Sequence, residues 1–298
     1  LPVPFFHCFG CVLGVMACLT HRCTMLIVEE FNAELVLQAL DKEKATAVYG
    51  VPTMFIAELN HPDFDSFDLS HLRTGIMAGS PCPPETMREV MERMNMRDVT
   101  ICYGLTETSP VFTQTSVDDD IPHKCETVGR AHPPVEVRVL DVNDGHICAP
   151  GEHGELCCKG YNVMKGYYKM PEETAATLED GWLKTGDLGY VDEEGFVYLT
   201  GRKKNLIITK NGENVSPEEL ENKLGVERLI QEVLVRENKS VIEAEIFPDY
   251  EYAKKKHIKD VRAALQEIID QYNLQAPPHK KIYSLIVRET EFEKTPFK

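Results

Sequence analysis

Hydrophobic and polar positions follow two periodic patterns along the chain. The first pattern extends from residue 24 to residue 104. Short apolar runs there alternate with stretches in which apolar residues recur at helical spacing. Asn32 is placed to cap one helix, and Pro84 lies in the first turn of another. Strands that alternate with helices indicate a parallel sheet, which binds ligands at the carboxyl ends of its strands. The pattern predicts strands over 24–30, 46–51, 72–79 and 99–104, and helices over 32–40, 54–59 and 83–94.

After about residue 125 the apolar period becomes two, which is typical of antiparallel strands. Residues 135–141 alternate strictly, and turn sequences at 143–145 and 192–195 separate further strands. Beyond residue 205, Ser216 and Glu219 have capping-box spacing before a helix, and strands and a second helix follow. We therefore predict an α/β protein with a parallel α/β subdomain, a small antiparallel β-barrel-like subdomain and a small α+β C-terminal domain.

Composition narrows the class of function. With 32 basic and 48 acidic residues the net charge is −16, and no basic stripe is present to neutralise phosphates, so we expect no nucleic-acid partner. The ten cysteines are scattered through apolar segments, which favours free thiols in a reducing, cytoplasmic location. The apolar opening segment contains Pro2, Pro4 and His7, so we predict buried globular sequence there and no integral membrane segment.

The sequence YGLTETSP at 103–110 follows the last predicted strand of the parallel sheet. Hydroxyl groups and backbone N–H groups at the end of a strand suit phosphate oxygens, and a carboxylate there suits Mg²⁺. An aromatic ring provides a flat face for a base. Tyr103, Thr106 and Glu107 therefore suit a nucleotide triphosphate and its metal ion. A polar turn with a surface tyrosine is the alternative.

Two further residues have the chemistry to hold a nucleotide. Asp187 ends the sequence TGD, and a carboxylate in a tight glycine turn can accept hydrogen bonds from two ribose hydroxyls. Arg202 lies in GRKKN, and its guanidinium presents several donors. Taken singly, TGD favours a simple hairpin aspartate, and a charged surface loop is an equal alternative for Arg202.

The order of the motifs is more specific than any one of them. YGLTE, GELCCKGYNVMKGYY, WLKTGD and GRKKNLIITKNGENVSPEELE occur in that order, after PFFHCFG at 4–10. The chain thereby resembles the adenylate-forming superfamily of acyl-CoA synthetases, luciferases and peptide-synthetase adenylation domains. The resemblance implies that residues 1–202 are the C-terminal part of a large AMP-binding domain, with an α/β part over 1–124 and a β-rich part over 125–202. Residues 203–298 would form its small mobile domain.

The resemblance also implies a role for each matching residue. Tyr103 would stack on adenine beside Gly104, Thr106 would touch the α-phosphate, and Glu107 would hold Mg²⁺. His7 would lie at the entrance of the acyl pocket, with a packed strand-end histidine as the alternative. The remaining expectations are Gly79, Ser80 and Pro81 in the adenine and acyl pocket, Asp187 and Arg202 on the ribose, Lys204 as the hinge, and Gly212, Glu213 and Asn214 beside the thiol tunnel.

The implied activity is that of an AMP-forming acid–thiol ligase. A carboxylic acid and ATP would give an acyl-adenylate and pyrophosphate, and CoA would then take the acyl group. GSPCPPE and GENVSPEELE favour medium- to long-chain fatty acids. The alternatives are an aryl-acid CoA ligase, an enzyme that loads an acyl carrier protein, and a catalytically silent nucleotide-binding fragment, and a homodimer stays open. The family's phosphate-binding loop is expected before residue 1 and its catalytic lysine at position 299, so we expect the chain to be a fragment.

Overall fold

The computed structural model describes residues 1–80, 82–209, 213–238 and 241–293. These residues divide into two compact units. The first comprises Leu1–Thr185 and Gly189–Leu199, and the second comprises Gly186–Leu188 and the chain from Thr200 onward. The predicted α/β class is confirmed, since the first unit contains a mixed sheet and the second a small α+β fold.

The sheet of the α/β part has the strand order β1-β2-β3-β4-β5. Its first three strands run parallel, with Ala47 opposite Thr74 and Ala78 opposite Cys102. The last two run antiparallel to their neighbours. The strands are β1 (Ala47–Gly50), β2 (Thr74–Ala78), β3 (Asp98–Tyr103), β4 (Thr113–Gln114) and β5 (Arg130–Ala131), and the helices are α1 (Ala17–His21), α2 (Ala33–Lys42), α3 (Pro52–Leu59), α4 (Pro84–Arg93) and α5 (Ile121–Glu126).

Apolar side chains of α2, α3 and α4 pack on this sheet and form the core of the α/β part. Asn32 caps α2 as predicted, because its side chain accepts a hydrogen bond from the backbone N–H of Leu35 at 3.1 Å. Prolines occupy the first turns of α3 and α4, where a missing N–H costs nothing. The most deeply buried core side chains include Leu37, Phe55, Met77, Met87 and Met96.

The strand predicted over 24–30 is wrong. Within the described part of the chain this segment pairs with no strand, and its backbone bonds only to Leu1, through Leu26 and Val28. Pairing with the single residue Leu1 provides too few backbone hydrogen bonds to form a strand, even though the side chains of this segment favour strand structure. The opening segment is π-helical over Phe9–Met16, and it is buried only in part, since the Phe6 side chain is 90% exposed.

The β-rich part forms a second sheet in the order β10-β9-β7-β6, with β8 paired to β9. The predicted turns are confirmed: Gly145 closes one with positive φ, and Asp192 closes the other through backbone hydrogen bonds with Gly195 and Phe196. The elements are β6 (Glu136–Leu140), β7 (Gly154–Lys159), α6 (Pro171–Thr177), β8 (Leu178–Glu179), β9 (Trp182–Val191) and β10 (Val197–Arg202).

The second unit has its own buried core, in which Leu220, Ile246, Leu265 and Ile269 pack together. Strand β14 lies at the centre of its sheet, antiparallel to β13 and parallel to β15. A short antiparallel pair, β11 and β12, precedes the first helix. The elements are β11 (Ile207–Ile208), β12 (Asn214–Val215), α7 (Pro217–Leu224), β13 (Ile230–Asn238), β14 (Val241–Pro248), α8 (Tyr250–Lys255), α9 (Val261–Gln275) and β15 (Ile282–Val287).

The capping box predicted for α7 is wrong, although Ser216 is the N-cap residue. The Ser216 hydroxyl donates to the carbonyl oxygen of Thr200 at 2.6 Å and makes no cap hydrogen bond. The Glu219 carboxylate pairs with Lys223 at 2.9 Å and with Lys280 at 2.6 Å. The side chains of Ser216 and Glu219 therefore bind Thr200 and Lys280 and do not cap the helix. No helix in the described part of the chain is long and apolar enough to cross a membrane.

Candidate functional site

The carboxyl ends of β2 and β3 lie side by side, as the parallel sheet requires. Ala78 and Cys102 are register partners, so Gly79 and Ser80 leave the sheet beside Tyr103 and Gly104. Gly79 has φ +92°, a conformation that favours glycine, and both Gly79 and Ser80 are exposed. Pro81 lies outside the described residues. The first group of predicted nucleotide-binding residues therefore shares one edge of the sheet.

Residues 103–110, which we call the strand-end turn, are tightly built. A Cβ on Gly104 would lie 1.9 Å from the carbonyl oxygen of Pro110, so only glycine fits there. The Thr108 hydroxyl accepts from the backbone N–H of Leu105 at 2.8 Å and lies 3.1 Å from the Pro110 carbonyl oxygen. The turn contains one 3₁₀ segment, Thr106–Thr108. Buried hydrogen bonds thus determine how the turn presents its side chains.

Asn162 lies in the connection between β7 and α6, and its side chain binds the strand-end turn. Its buried side-chain amide donates to the carbonyl oxygens of Thr108 and Val111, both at 3.1 Å. Sequence reasoning missed this residue, because it is 54 positions from Thr108 and only the fold brings it near. The signal available was its place in the GYNVMKGYY motif.

Tyr103 ends β3 half-buried, and its ring packs on Phe112 with centroids 4.8 Å apart and planes tilted by 60°. Thr106 is exposed, so its hydroxyl is accessible to a ligand. The ring of Tyr103 is therefore held by an aromatic neighbour.

Glu107 is half-buried and has a tyrosine partner that sequence reasoning also missed. The Tyr167 hydroxyl donates to Glu107 Oε1 at 2.8 Å. This hydrogen bond to a carboxylate is the main cause that raises the pKa of Tyr167 above its ordinary value. The backbone N–H of Met164 also donates to the Glu107 carbonyl oxygen at 2.8 Å. The side chain and the backbone of Glu107 are therefore both held by the segment that follows β7.

His7 lies near the strand-end turn through its neighbour Cys8. The Cys8 Sγ atom is 3.8 Å from Thr106 Oγ1 and 3.9 Å from His7 Nδ1. The backbone N–H of Phe9 donates to His7 Nδ1 at 3.1 Å, which fixes the ring at the start of the π-helical segment. The His7 side chain is exposed.

The second group of predicted residues belongs to the second unit. Arg202 Nε lies 2.7 Å from Asp187 Oδ1, and Asp187 is 5% exposed whereas the Arg202 side chain is half exposed. Gly186 precedes the aspartate with φ +73°. A cavity of about 350 Å³ is lined by Gly186, Arg202, Lys203 and Lys204. Three cationic side chains therefore line this cavity, and one of them, Arg202, is paired with the buried carboxylate of Asp187.

Residues 201–205, the basic segment, include the predicted hinge residue. Lys204 is exposed within the 3₁₀ segment Lys203–Asn205. Gly201 lies before this residue in the chain, and a Cβ added at Gly201 would lie 2.0 Å from Ser216 Oγ. The Asn205 amide donates to the carboxylate of Glu218. The two ends of the segment are therefore anchored, while its lysines face solvent.

The residues predicted beside a thiol tunnel are described in part. Glu213 is exposed, and its carboxylate lies 3.3 Å from His279 Nδ1. Asn214 is in β12, opposite Ile208 of β11. Gly212 lies outside the described residues, so its role stays a prediction.

Comparison with known proteins identifies the family on independent grounds. Residues 1–168 match the family described as AMP-binding enzyme, and residues 204–298 match the AMP-binding enzyme C-terminal domain. The putative acyl-CoA synthetase YngI of Bacillus subtilis is 55% identical over 222 residues, which are 74% of this chain and 40% of that protein. The human mitochondrial medium-chain acyl-CoA ligase ACSF2 is 41% identical over 237 residues, 79% of this chain and 38% of that protein.

Solved structures agree with these matches. ATP-bound MatB from Rhodopseudomonas palustris superposes with a TM-score of 0.83 at 29% identity, over 98% of this chain and 56% of that one. The o-succinylbenzoate coenzyme A synthetase MenE of Bacillus subtilis, in complex with ATP and magnesium ion, gives 0.80 at 28% identity, over 97% of this chain and 57% of that one. The chain spans about 40% of the length of the curated relatives named above. Because one family match covers more than half of the chain and another covers its C-terminal part, the chain belongs to the AMP-binding enzyme family.

Proposed function

We propose that the protein is an AMP-forming acid–thiol ligase, which activates a carboxylic acid with ATP and then transfers the acyl group to CoA. The observation that carries the proposal is the strand-end turn, which presents the Tyr103 ring, the Thr106 hydroxyl and the Glu107 carboxylate within five residues. Adenylation needs a held base, a donor for the α-phosphate and neutralised phosphate charge, with no covalent enzyme intermediate. The Tyr103 ring would hold the base, the Thr106 hydroxyl would donate to the α-phosphate, and the Glu107 carboxylate would hold the metal ion that neutralises the phosphate charge.

The nucleotide would meet side chains that are already positioned. Tyr103 would stack on adenine with its ring held by Phe112, and Thr106 would donate its hydroxyl to the α-phosphate. Gly79 and Ser80 would line the same pocket, since they lie beside Tyr103 at the edge of the sheet. Their place at the carboxyl ends of parallel strands supports this assignment.

The residues present fit Mg²⁺. This ion is usually held by one or two carboxylates together with phosphate oxygens and water, and Glu107 supplies one carboxylate. Its Oε1 accepts the Tyr167 hydroxyl, which leaves Oε2 for a metal ion. When bound, Mg²⁺ would neutralise charge on the ATP phosphates. Glu107 would hold the ion, Tyr167 would orient Glu107, and Thr106 would contact the phosphate itself.

Asp187 and Arg202 would supply the ribose contacts, and Lys204 the conformational change. Asp187 would accept hydrogen bonds from the ribose hydroxyls and Arg202 would contact the ribose beside it, and their 2.7 Å ion pair supports a shared site. Lys204 would act as the hinge between the half-reactions, and its exposed position between anchored neighbours supports that role. Glu213 and Asn214 would border the path of the thiol.

The substrate is proposed from the relatives. Two of them are named acyl-CoA synthetase or medium-chain acyl-CoA ligase, which supports a fatty acid as the acid and CoA as the acceptor. His7, beside Cys8 and Thr106, would lie at the entrance of the acyl pocket. A homodimer and a cytoplasmic location stay predictions.

The test is ATP–pyrophosphate exchange by the full-length protein with acetic, octanoic, palmitic and benzoic acids, followed by thioester formation with CoA or with a phosphopantetheinylated carrier protein. We expect exchange with octanoic or palmitic acid, dependent on Mg²⁺, and the thioester with CoA. Exchange with benzoic acid alone would favour an aryl-acid ligase, and transfer only to the carrier protein would favour a loading enzyme. AMP binding without exchange for any acid would contradict the proposal.

A further inference from the structure

The connection between β6 and β7 carries a cluster of metal-ligating side chains that adenylation does not use. The chain folds back on itself there: Leu140 and Ile147 form an isolated antiparallel bridge, and the backbone N–H of Cys148 donates to the carbonyl oxygen of Val139 at 3.0 Å. His146 and Cys148 flank Ile147 in this extended stretch. Because side chains alternate along extended backbone, the imidazole and the thiol lie on the same face.

Glu152 completes a set of three ligands. One ring nitrogen of His146, the Sγ atom of Cys148 and one carboxylate oxygen of Glu152 all lie within 4.8 Å of one another. His146 Nε2 is 3.8 Å from Glu152 Oε2. The same carboxylate oxygen accepts the backbone N–H of Ala149 at 2.7 Å, so the loop itself turns Glu152 back toward the other two side chains.

The histidine is already oriented for a metal ion. Its Nδ1 lies 2.7 Å from Asp144 Oδ1, which leaves Nε2 directed toward Glu152. Histidines that bind metals commonly donate their other ring N–H to a carboxylate, which selects the tautomer and holds the ring. Asp144 would therefore position His146 without binding the ion. The imidazole is about half exposed, so a cation can reach Nε2 from solvent.

The ligand types determine which cation fits. Nitrogen, thiolate sulfur and one carboxylate oxygen suit zinc-like divalent ions, which take three protein ligands and a water in tetrahedral geometry. Mg²⁺ and Ca²⁺ prefer sets made of oxygen alone. A second set here, formed by His146 with Asp141 and Asp144, has two oxygen ligands and no sulfur, so it suits a zinc-class ion less well.

We propose that His146, Cys148 and Glu152 bind a zinc-class divalent cation, with Asp144 positioning the imidazole. Binding displaces the thiol proton of Cys148 to solvent and links side chains within residues 146–152 of the β6–β7 connection. The site lies wholly within the first unit and includes none of the residues assigned to the nucleotide, so it is independent of the proposed ligase activity.

The experiment is a titration of the chain with Zn²⁺, followed by calorimetry, and with Co²⁺, followed by absorption. Co²⁺ bound to a thiolate has a charge-transfer band in the near ultraviolet that carboxylate and imidazole ligands do not produce. We expect one equivalent of either ion to bind and the thiolate band to appear. Cys148→Ser removes the band, and Cys23→Ser, which changes an exposed thiol elsewhere, leaves it.

Two further variants test the geometry. His146→Ala lowers Zn²⁺ affinity by about tenfold or more, and Asp144→Asn lowers it by about tenfold, because outer-sphere carboxylates have effects of that size. Circular dichroism without metal confirms that each variant is folded. Unchanged Zn²⁺ affinity in the folded His146→Ala variant, or a thiolate band that survives in Cys148→Ser, would overturn the proposal. Equal affinity for Mg²⁺ and Zn²⁺ would overturn the assignment to a zinc-class ion.

Discussion

The strand-end turn and the basic segment are both short polar stretches that follow a strand, but they are built in opposite ways. In the turn, Thr108 is completely buried, and Asn162 ties two carbonyl oxygens together from a distant part of the chain. In the basic segment, the lysines are exposed, and Arg202 is held by an ion pair with Asp187.

The difference teaches which groups are preorganised before a ligand arrives. Buried hydrogen bonds give the turn one arrangement, so Glu107 can meet a metal ion without reorganising. In the basic segment Lys204 is exposed, which suits a segment that changes conformation. Substitutions in the turn should therefore affect stability and chemistry, and those in the segment should affect the step that needs movement.

The largest effect should come from Gly104→Ala. A Cβ there would lie 1.9 Å from the backbone oxygen of Pro110, so the turn must open. We expect a loss of about 3 kcal/mol in the free energy of unfolding, as for other overpacked positions. Urea denaturation of the variant beside the unmodified protein measures it. A loss of a few tenths of a kcal/mol would mean that the turn is not tightly built.

Glu107→Gln should lower ATP–pyrophosphate exchange by about 10²-fold or more, since a metal-bridged phosphate loses its charged anchor. The amide is nearly the same size, so the fold should remain intact. Glu92→Gln changes an exposed carboxylate on α4 and serves as the control, with activity unchanged. Near-normal exchange in the folded Glu107 variant would remove this residue from the site.

Lys204→Pro should separate the two half-reactions. Proline fixes φ near the value of a 3₁₀ segment, so rotation about φ at this residue is blocked. We expect adenylation to change little and thioester formation to fall about tenfold, as for a conformational step. Lys204→Ala removes the charge without restricting φ and should retain both steps. Equal loss of both steps in the proline variant would contradict a hinge role.

Tyr167→Phe removes the hydroxyl that donates to Glu107 Oε1. The carboxylate then rotates more freely, and we expect the Mg²⁺ concentration for half-maximal exchange to rise about fivefold, the effect of one partly exposed hydrogen bond of about 1 kcal/mol. The maximal rate at saturating Mg²⁺ should change little. Tyr168→Phe, at a neighbouring ring that is 86% exposed, is the control. Tighter Mg²⁺ binding in the Tyr167 variant would show that the hydroxyl competes with the ion.

The smallest effect should come from Gly186→Ala in the second unit. No atom lies within 4 Å of a Cβ at this position, so the cost arises only from its φ of +73°. We expect a loss of about 1 kcal/mol in the free energy of unfolding. Comparison with the Gly104 variant measures the packing of the turn, and equal losses would contradict a tightly packed turn.

Local patterns along the chain were sufficient for much of the fold and for part of the site. Asn32 caps its helix as predicted, because the capping hydrogen bond spans only three residues. The parallel strands were predictable from their alternation with helices, and the ends of β2 and β3 brought Gly79 and Tyr103 together as that topology requires. These features depend on neighbours in sequence or on a rule of connection.

Tertiary structure decided the rest, because the partners are far apart in the chain. Ser216 had the sequence of a capping box, yet its hydroxyl donates to the carbonyl oxygen of Thr200 and its oxygen accepts no N–H of the helix, because a partner outside the helix orients the side chain. Glu107 was recognisable from its motif, but its partner Tyr167 lies 60 residues away, and only the packing of the segment after β7 places the hydroxyl within hydrogen-bonding distance. The residue types in the sequence determine which chemical groups are available, whereas long-range packing determines which of these groups come into contact.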